Sequence, residues 1–466
     1  MKRLLIACGV SLAATLAHAT PVYHPTGSNL VYGDVSNGYS ILSSVNNPAA
    51  GAVSYKPGES EVSIGIMSSI GLGAEIGDVN NIYDQIDAKA NQFSDTLDKV
   101  AAAGIGDAPA VVSAITTTIN DSNELLSLIE QGGYAKVFTS LQWPLSPIQV
   151  SADWLGGTLV FDANSSLMAR IGLASDKLDF NASTLQNDIE TAIGGTGTTI
   201  TNGDLSFSYD GSNVNFTVNN DSTAIVKASL ISELSLGYSR KVWNNSVGNL
   251  FAGVRGKYYR VELLRDYERI ETVADSQNLF DNVSKEDRTT NNGFGLDFGT
   301  LWVTPNYHLG ATLTNVNEPS FDYNAINISS IYNLATIDPA FRSKLNATET
   351  YTMQRQLKLE GALYTENKHW IIGAALDANA VMDPMGDDYK WAVVSAAYLS
   401  DSWWLPAVRF GYRANQAGTK MNYLPAGMTL FKGFNIDGAY SPDKVEVDGS
   451  TMTRGFMLNL GLEVSF

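Results

Sequence analysis

The sequence predicts an all-β protein: a transmembrane antiparallel β-barrel of about 14 strands, with an N-terminal plug and an inserted helical hairpin. Three observations carry this. The last stretch, Arg454 to Phe466, alternates strictly between apolar and small or polar residues. The same period of two returns in segment after segment of the chain. Finally, after a short export-type leader, no segment is apolar enough to be a spanning helix. In lipid, every backbone N–H and C=O must be paired internally, which leaves only a closed barrel.

In the C-terminal stretch, Phe456, Leu458, Leu460, Leu462, Val464 and Phe466 form one apolar row, against Met457, Asn459, Gly461, Glu463 and Ser465. Successive strand side chains point to opposite faces, so this is a strand with one oily and one wet side. It is long enough to cross a bilayer at a tilt. At the other end, residues 1–19 read as a signal peptide. Lys2 and Arg3 precede an apolar run from Leu4 to Leu16, and Ala17-His18-Ala19 is a small-x-small cleavage site. Leu5-Ile6-Ala7-Cys8 matches a lipoprotein box, but too little apolar sequence precedes Cys8.

Cleavage removes the only cysteine, so the mature chain has no disulfide, redox pair or thiolate metal site. Loss of Lys2 and Arg3 takes the basic count from 30 to 28 against 48 acidic residues, for a net charge of −20. Such a field repels nucleic acid, which is excluded as a partner.

Residues 20–56 are a Gly-, Asn- and Ser-rich lead-in ending Asn47-Pro48-Ala49 and read as a plug, with the barrel over 57–466. Glu61 to Ser69 alternates and is the first strand. Residues 78–131 break the pattern. Ile82, Ile86, Ala90, Phe93, Leu97 and Val100 fall at helical steps, and a second helix runs from Pro109 to Gln131. The cluster Asn120-Asp121-Ser122-Asn123 is a candidate interruption, and Gly132-Gly133 a stop. The acidic polar face (Asp84, Asp87, Asp95, Asp98) suits a hairpin packed on itself or on the barrel rather than an interfacial membrane helix. From Gln149 the period of two returns. Residues 181–222 form an elaborated loop with a hairpin, Leu205–Tyr209 turning at Asp210-Gly211 into Val214–Val218. Further strands surround Leu230–Ser239, Leu250–Lys257, Phe294–Gly299, Leu309–Thr314, Leu357–Leu363, Trp370–Asn379, Val394–Tyr398 and Val408–Arg413.

A soluble sandwich shows the same alternation, with the oily faces turned inward. Small residues on the polar faces favour the inverted, lipid-facing arrangement. So does the placing of Trp302, Trp370, Trp391, Trp403, Trp404 and Tyr412 at strand ends, as in an aromatic girdle.

Little else points to chemistry. His24, His308 and His369 lie in no metal-ligand spacing, so neither metal nor cofactor is expected. Gly71-x-Gly73-x-x-x-Gly77 misses a dinucleotide fingerprint and reads as a turn before the first helix. There is no Gly-x-Ser-x-Gly elbow, no serine is marked beside His308 or His369, and the chain reads as a non-enzyme. Asp383-Pro384-Met385-Gly386-Asp387-Asp388 reads as a solvated acidic loop, with a surface divalent-ion site as the rival. On the wet faces, Glu233, Arg255, Lys257, Asp297, Lys358, Glu360, Asp377, Arg409 and Arg413 carry both signs, as a mutually neutralising lumen network requires. The rival is an ion- or substrate-selecting constriction.

The C-terminal strand closing on Phe466 resembles the signal by which Gram-negative outer-membrane barrels are recognised by the barrel-assembly machinery. That signal, the run ending Asn47-Pro48-Ala49 and the strand–helix–strand opening together resemble the FadL-like outer-membrane family. Within it they are most similar to the conjugal-transfer TraF-like proteins. The resemblance implies an outer-membrane barrel with a plug, serving as a conduit for hydrophobic small molecules. The alternative is a sealed barrel serving a conjugation or surface apparatus as an interaction component. The periplasmic F-plasmid protein that also bears the TraF name is thioredoxin-like, and a chain without a mature cysteine cannot do its dithiol chemistry. The helical insertion maps onto no substrate site of the family. A conduit should present an apolar pocket near the helices, using Phe93, Leu97 and Val100.

Overall fold

The structure is a computed structural model that describes residues 25–465, apart from 38–39, most of 81–107, 195–198, 210–213, 271–287, 401 and 448. The leader, His24, Phe466 and the expected first helix with Phe93, Leu97 and Val100 lie outside the described residues.

Fifteen strands form one sheet: β1 (Glu61–Ile76), β2 (Ala135–Gln142), β3 (Ile148–Ala152), β4 (Gly157–Ala174), β5 (Thr223–Asn244), β6 (Asn249–Arg269), β7 (Thr289–Val303), β8 (Tyr307–Thr314), β9 (Gln356–Tyr364), β10 (Trp370–Asp377), β11 (Trp391–Tyr398), β12 (Ala407–Asn415), β13 (Asn422–Leu430), β14 (Phe434–Tyr440) and β15 (Gly455–Ser465). Each neighbouring pair is antiparallel. β15 returns to β1, with Leu458 opposite Leu72, so the sheet closes. β2 and β3 share one place in the wall. Both lie between β1 and β4, β2 pairing residues 70–76 of β1 and β3 pairing 61–64. The barrel therefore has 14 strand positions, the second of them broken at Trp143–Pro147.

The wall faces are inverted relative to a soluble protein. Leu236, Leu309, Leu363, Ile372, Val394 and Phe410 are each more than half exposed on the outside. In the closing strand Phe456, Leu458, Leu460 and Leu462 face out, while Met457 and Asn459 are buried inside. Exposed apolar side chains in a continuous belt are what lipid, and not water, accommodates. One end has tight turns (245–248, 304–306, 365–369, 431–433) and an aromatic rim, with Trp243 against Trp302 at 5.5 Å and Trp370 against Tyr398 at 5.3 Å. The other end carries the long connections.

Several expectations need correction. Trp391 is not part of a girdle but lies in the lumen at 7% exposure. Gly71 and Gly73 are inside β1, which runs on to Ile76, so that motif is wall and not turn. The cluster Asn120–Asn123 does not break its helix: α1 runs unbroken over Ala108–Gly132. The hydroxyls there turn back on the helix, with Ser122 donating to the Thr118 carbonyl at 2.8 Å, while Asn123 pairs both ways with the Leu178 backbone. β2, β13 and β14 are strands the periodicity reading passed over.

The two insertions meet. Ile115 and Ile119 of α1 bury against Leu185 of a further helix, α2 (Ala182–Gly194), and against Leu205 of a three-stranded sheet over residues 199–218. A small apolar core of its own thus holds a cap at the long-loop end. Lys344 ties its base to the rim, donating to Glu130 at 2.8 Å and to the Ser175 carbonyl at 2.7 Å. Beside that knot, Asp176 is buried, and its carboxyl is pushed up to about 6, by burial first and then by the charges of Asp204 and Asp221.

Candidate functional site

The described residues between 25 and 53 thread the barrel interior in short helical turns, Asn29–Tyr32 and Ser43–Asn46, and fasten to the wall through the charged side chains of the strands. A chain inside a barrel must pair its backbone with something, and here lumen side chains do it. The Glu360 carboxylate accepts from the Ser36 backbone and hydroxyl and from Asn47 Nδ2 (2.6 Å for the last). Glu463 accepts from Ser40 Oγ at 2.8 Å and from the Ile41 N–H at 3.0 Å. Arg255 donates to the Val45 carbonyl, and Lys358 pairs with Asp34 at 2.7 Å.

The Asn47-Pro48-Ala49 turn has a physical seat. Asn47 Oδ1 accepts from the Ala49 N–H at 2.9 Å and its amide donates to the Thr300 carbonyl at 3.2 Å. The turn presses on Gly253 and Gly299, which face each other across β6 and β7. A Cβ on Gly253 would collide with the Pro48 carbonyl, and one on Gly299 with the Asn47 side chain. This pair of glycines is a groove cut for the motif.

All nine charged residues singled out from the sequence face the interior, and eight are buried, Lys358 being only half-buried. The structure joins some of them. Asp297 holds Arg255 at 2.6 Å and Lys257 at 2.7 Å. Others pair with residues the alternation did not single out: Arg409 with Asp437 at 2.5 Å, Lys358 with Asp34, and Glu360 with the plug. Glu233, Asp377 and Arg413 line a cavity above the plug. Asp437 was legible, since Asn435 and Asp437 alternate with Phe434 and Ile436 in β14. The plug partners were not, because nothing in a lead-in without period marks which residue meets which wall.

The mouth at the long-loop end holds a second cluster. The acidic run Asp383–Asp388 is not a solvated loop: its hairpin, Val381–Met382 against Asp388–Tyr389, folds into the mouth. Asp383 pairs there with the fully buried Lys136 of β2, and Asp387 lies 3.0 Å from the same ammonium. Lys136 also donates to the Tyr389 hydroxyl at 2.8 Å. No group of three or more metal-ligating side chains gathers among the described residues. An ammonium occupies the place the sequence offered to a divalent ion.

The fold and lumen together define a class: a plugged, membrane-spanning antiparallel β-barrel capped at its long-loop end. The family model described as F plasmid transfer operon, TraF, protein matches residues 44–377, and the chain belongs to that family. No curated protein matches the chain. Among solved structures it is similar to the Pseudomonas putida toluene transporter TodX, at 13% identity over 96% of this chain and 99% of that one, with a TM-score of 0.35. It is also similar to a Pseudomonas aeruginosa FadL homologue, at 10% identity over 96% and 99% of the two chains, with a TM-score of 0.25. Both scores lie below 0.5, so neither likeness carries a functional conclusion.

Proposed function

We propose that this protein is an outer-membrane barrel held shut, serving a transfer or surface apparatus through its capped outer face rather than as an open pore. The observation that carries the reading is the double closure of the lumen. The plug is bonded to three strands, β6, β9 and β15, through Arg255, Lys358, Glu360 and Glu463, and the Lys136–Asp383–Asp387 cluster pins a hairpin across the mouth. Membership of a family described by a transfer operon supports the setting. The cavity is ringed by charge that interrupts its apolar patches at Val45, Val381, Tyr389 and Trp391, a poor bed for a hydrophobic solute.

A conduit for hydrophobic molecules has one feature in its favour, the broken second strand position. There β1 shifts register between Gly65 and Ile70, and Leu145 stands out towards lipid. The test is single-channel recording of the full chain in planar bilayers, after heat-modifiable migration has established a folded barrel in outer membranes. Electrical silence at moderate voltage is expected. A steady ohmic pore would overturn the closed reading.

A further inference from the structure

The cavity above the plug holds about 750 Å³, counting the part open to solvent, and Arg413 and Trp391 both line it. Arg413 breaks the pattern of the lumen. Arg255 and Arg409 are each anchored by a carboxylate, Asp297 and Asp437 respectively, through two hydrogen bonds. Arg413 is as buried as they are, at 4% exposure, yet among the described residues no carboxylate lies within ion-pair distance of it. Its one hydrogen bond is a long one, from Nη1 to the Asn29 carbonyl at 3.4 Å, and its Nε–H has no acceptor. The guanidinium lies over the Trp391 ring at 4.3 Å, and the indole Nε1–H is likewise buried without an acceptor.

The nearest acids are already engaged. Asp34 holds Lys358, and Asp377 accepts the Trp391 backbone N–H at 2.7 Å. A buried guanidinium has five donors in a planar fork, and each one left unanswered is costly. The chemistry that answers a guanidinium edge and an adjacent indole N–H together is a planar oxyanion.

We propose that this cavity is a binding site for a small hydrophilic carboxylate, seated on Arg413 and Trp391. Lys257 and Lys358 on the same cavity add attraction, while Asp34, Glu233 and Asp377 repel a ligand too large to keep clear of them. Size and hydrophilicity follow from that ring of charge. The site needs only the cavity and stands whether or not the barrel conducts.

The experiment is a titration of the detergent-purified full chain with sodium succinate, read by tryptophan fluorescence and by calorimetry. Sodium chloride at equal ionic strength is the reference and sodium octanoate the long-chain comparison. Saturable binding of succinate is expected, at least tenfold weaker in Arg413→Gln and unchanged in Arg355→Gln, an exposed arginine outside the cavity. Trp391→Phe should remove most of the spectral change and weaken the calorimetric affinity several-fold. That variant carries the test if Arg413→Gln does not assemble a heat-modifiable barrel. Succinate acting no differently from chloride, octanoate binding more tightly than succinate, or full affinity in both variants would each overturn the proposal.

Discussion

Replacing Lys136 by Met removes one ammonium from the barrel mouth and leaves its partners behind. The Lys136 and Asp383 side chains are both 0% exposed, and that of Asp387 is 11% exposed, so neither carboxylate recovers much water while the hairpin stays docked. Breaking a buried pair by removing one partner costs about 3–5 kcal/mol. The low end applies here, because Asp383 Oδ1 keeps the backbone N–H groups of Met385 and Asp387, each at 2.9 Å. The barrel need not bear that cost. The hairpin is held otherwise by the burial of Val381, Met385 and Tyr389, and by swinging outward it returns both acids to water. The free energy of opening should therefore fall by about 3 kcal/mol, which raises the open population about a hundredfold. Cleavage within 383–388 by an added protease follows that population when reclosing is fast. Protease digestion of intact barrels, with mass mapping of the cut, reads it directly. Adding Asp383→Asn to Lys136→Met should recover most of the protection, since fewer charges are then stranded. Cleavage of Lys136→Met within twofold of the wild-type rate would refute the reasoning, because the latch would then carry no free energy.

Three further outcomes follow from the same geometry. Gly253→Ala drives a methyl into the Pro48 carbonyl, so the plug should shift. The heat-modification temperature should fall by the equivalent of about 1–3 kcal/mol, with conductance bursts in bilayers where the wild type is silent. The cap should be more resistant to heat or protease at pH 5 than at pH 7.5. Asp176 has its folded pKa raised to about 6, so its contribution is fully present below the free value of 3.8 and is lost as pH rises through 6. Asp176→Asn should flatten that dependence, whose ceiling between pH 5 and pH 7.5 is about 1.4 kcal/mol, and an unchanged profile in the variant would assign the effect elsewhere. Asn47→Ala removes the amide that reaches Glu360 at 2.6 Å and Thr300 at 3.2 Å, leaving the buried carboxylate with its Ser36 donors but one hydrogen bond short; barrel stability should drop by about 1–3 kcal/mol in urea, with the strand content seen by circular dichroism unchanged.

The barrel was legible because a strand exposed to different media on its two faces writes them alternately into the chain. Eleven of the 14 strand positions carry enough apolar residues on one parity to be read directly. β13 was passed over because Pro425 and Gly427 stand on its lumen face where polar side chains would have marked the alternation, β14 because Gly438 thins out its apolar row, and β2 because Lys136 and Gln142, which serve the lumen, sit beside a helix ending at Gly132. The helix through Asn120–Asn123 defeated propensity because its polar side chains found partners: helix carbonyls for the hydroxyls and Leu178 for Asn123. Trp391 was misplaced because parity marks a face but cannot say that an aromatic on it stacks on an arginine.

By itself the sequence determined the alternation of the strands and the class of side chain on each of their faces, since both depend on residues two apart in the chain; that the oily face turns outward was decided by closure of the sheet. Only the tertiary structure decided which charges meet. Asp34 reaches Lys358 and Glu463 reaches Ser40 across more than 300 residues, and Lys136 finds Asp383 across 247. Closing a barrel brings such residues together through the stagger of strands and the path of a plug, neither of which leaves a local period to read. The same holds for Arg413, whose type and parity were plain in the chain but whose lack of an acid partner exists only in three dimensions.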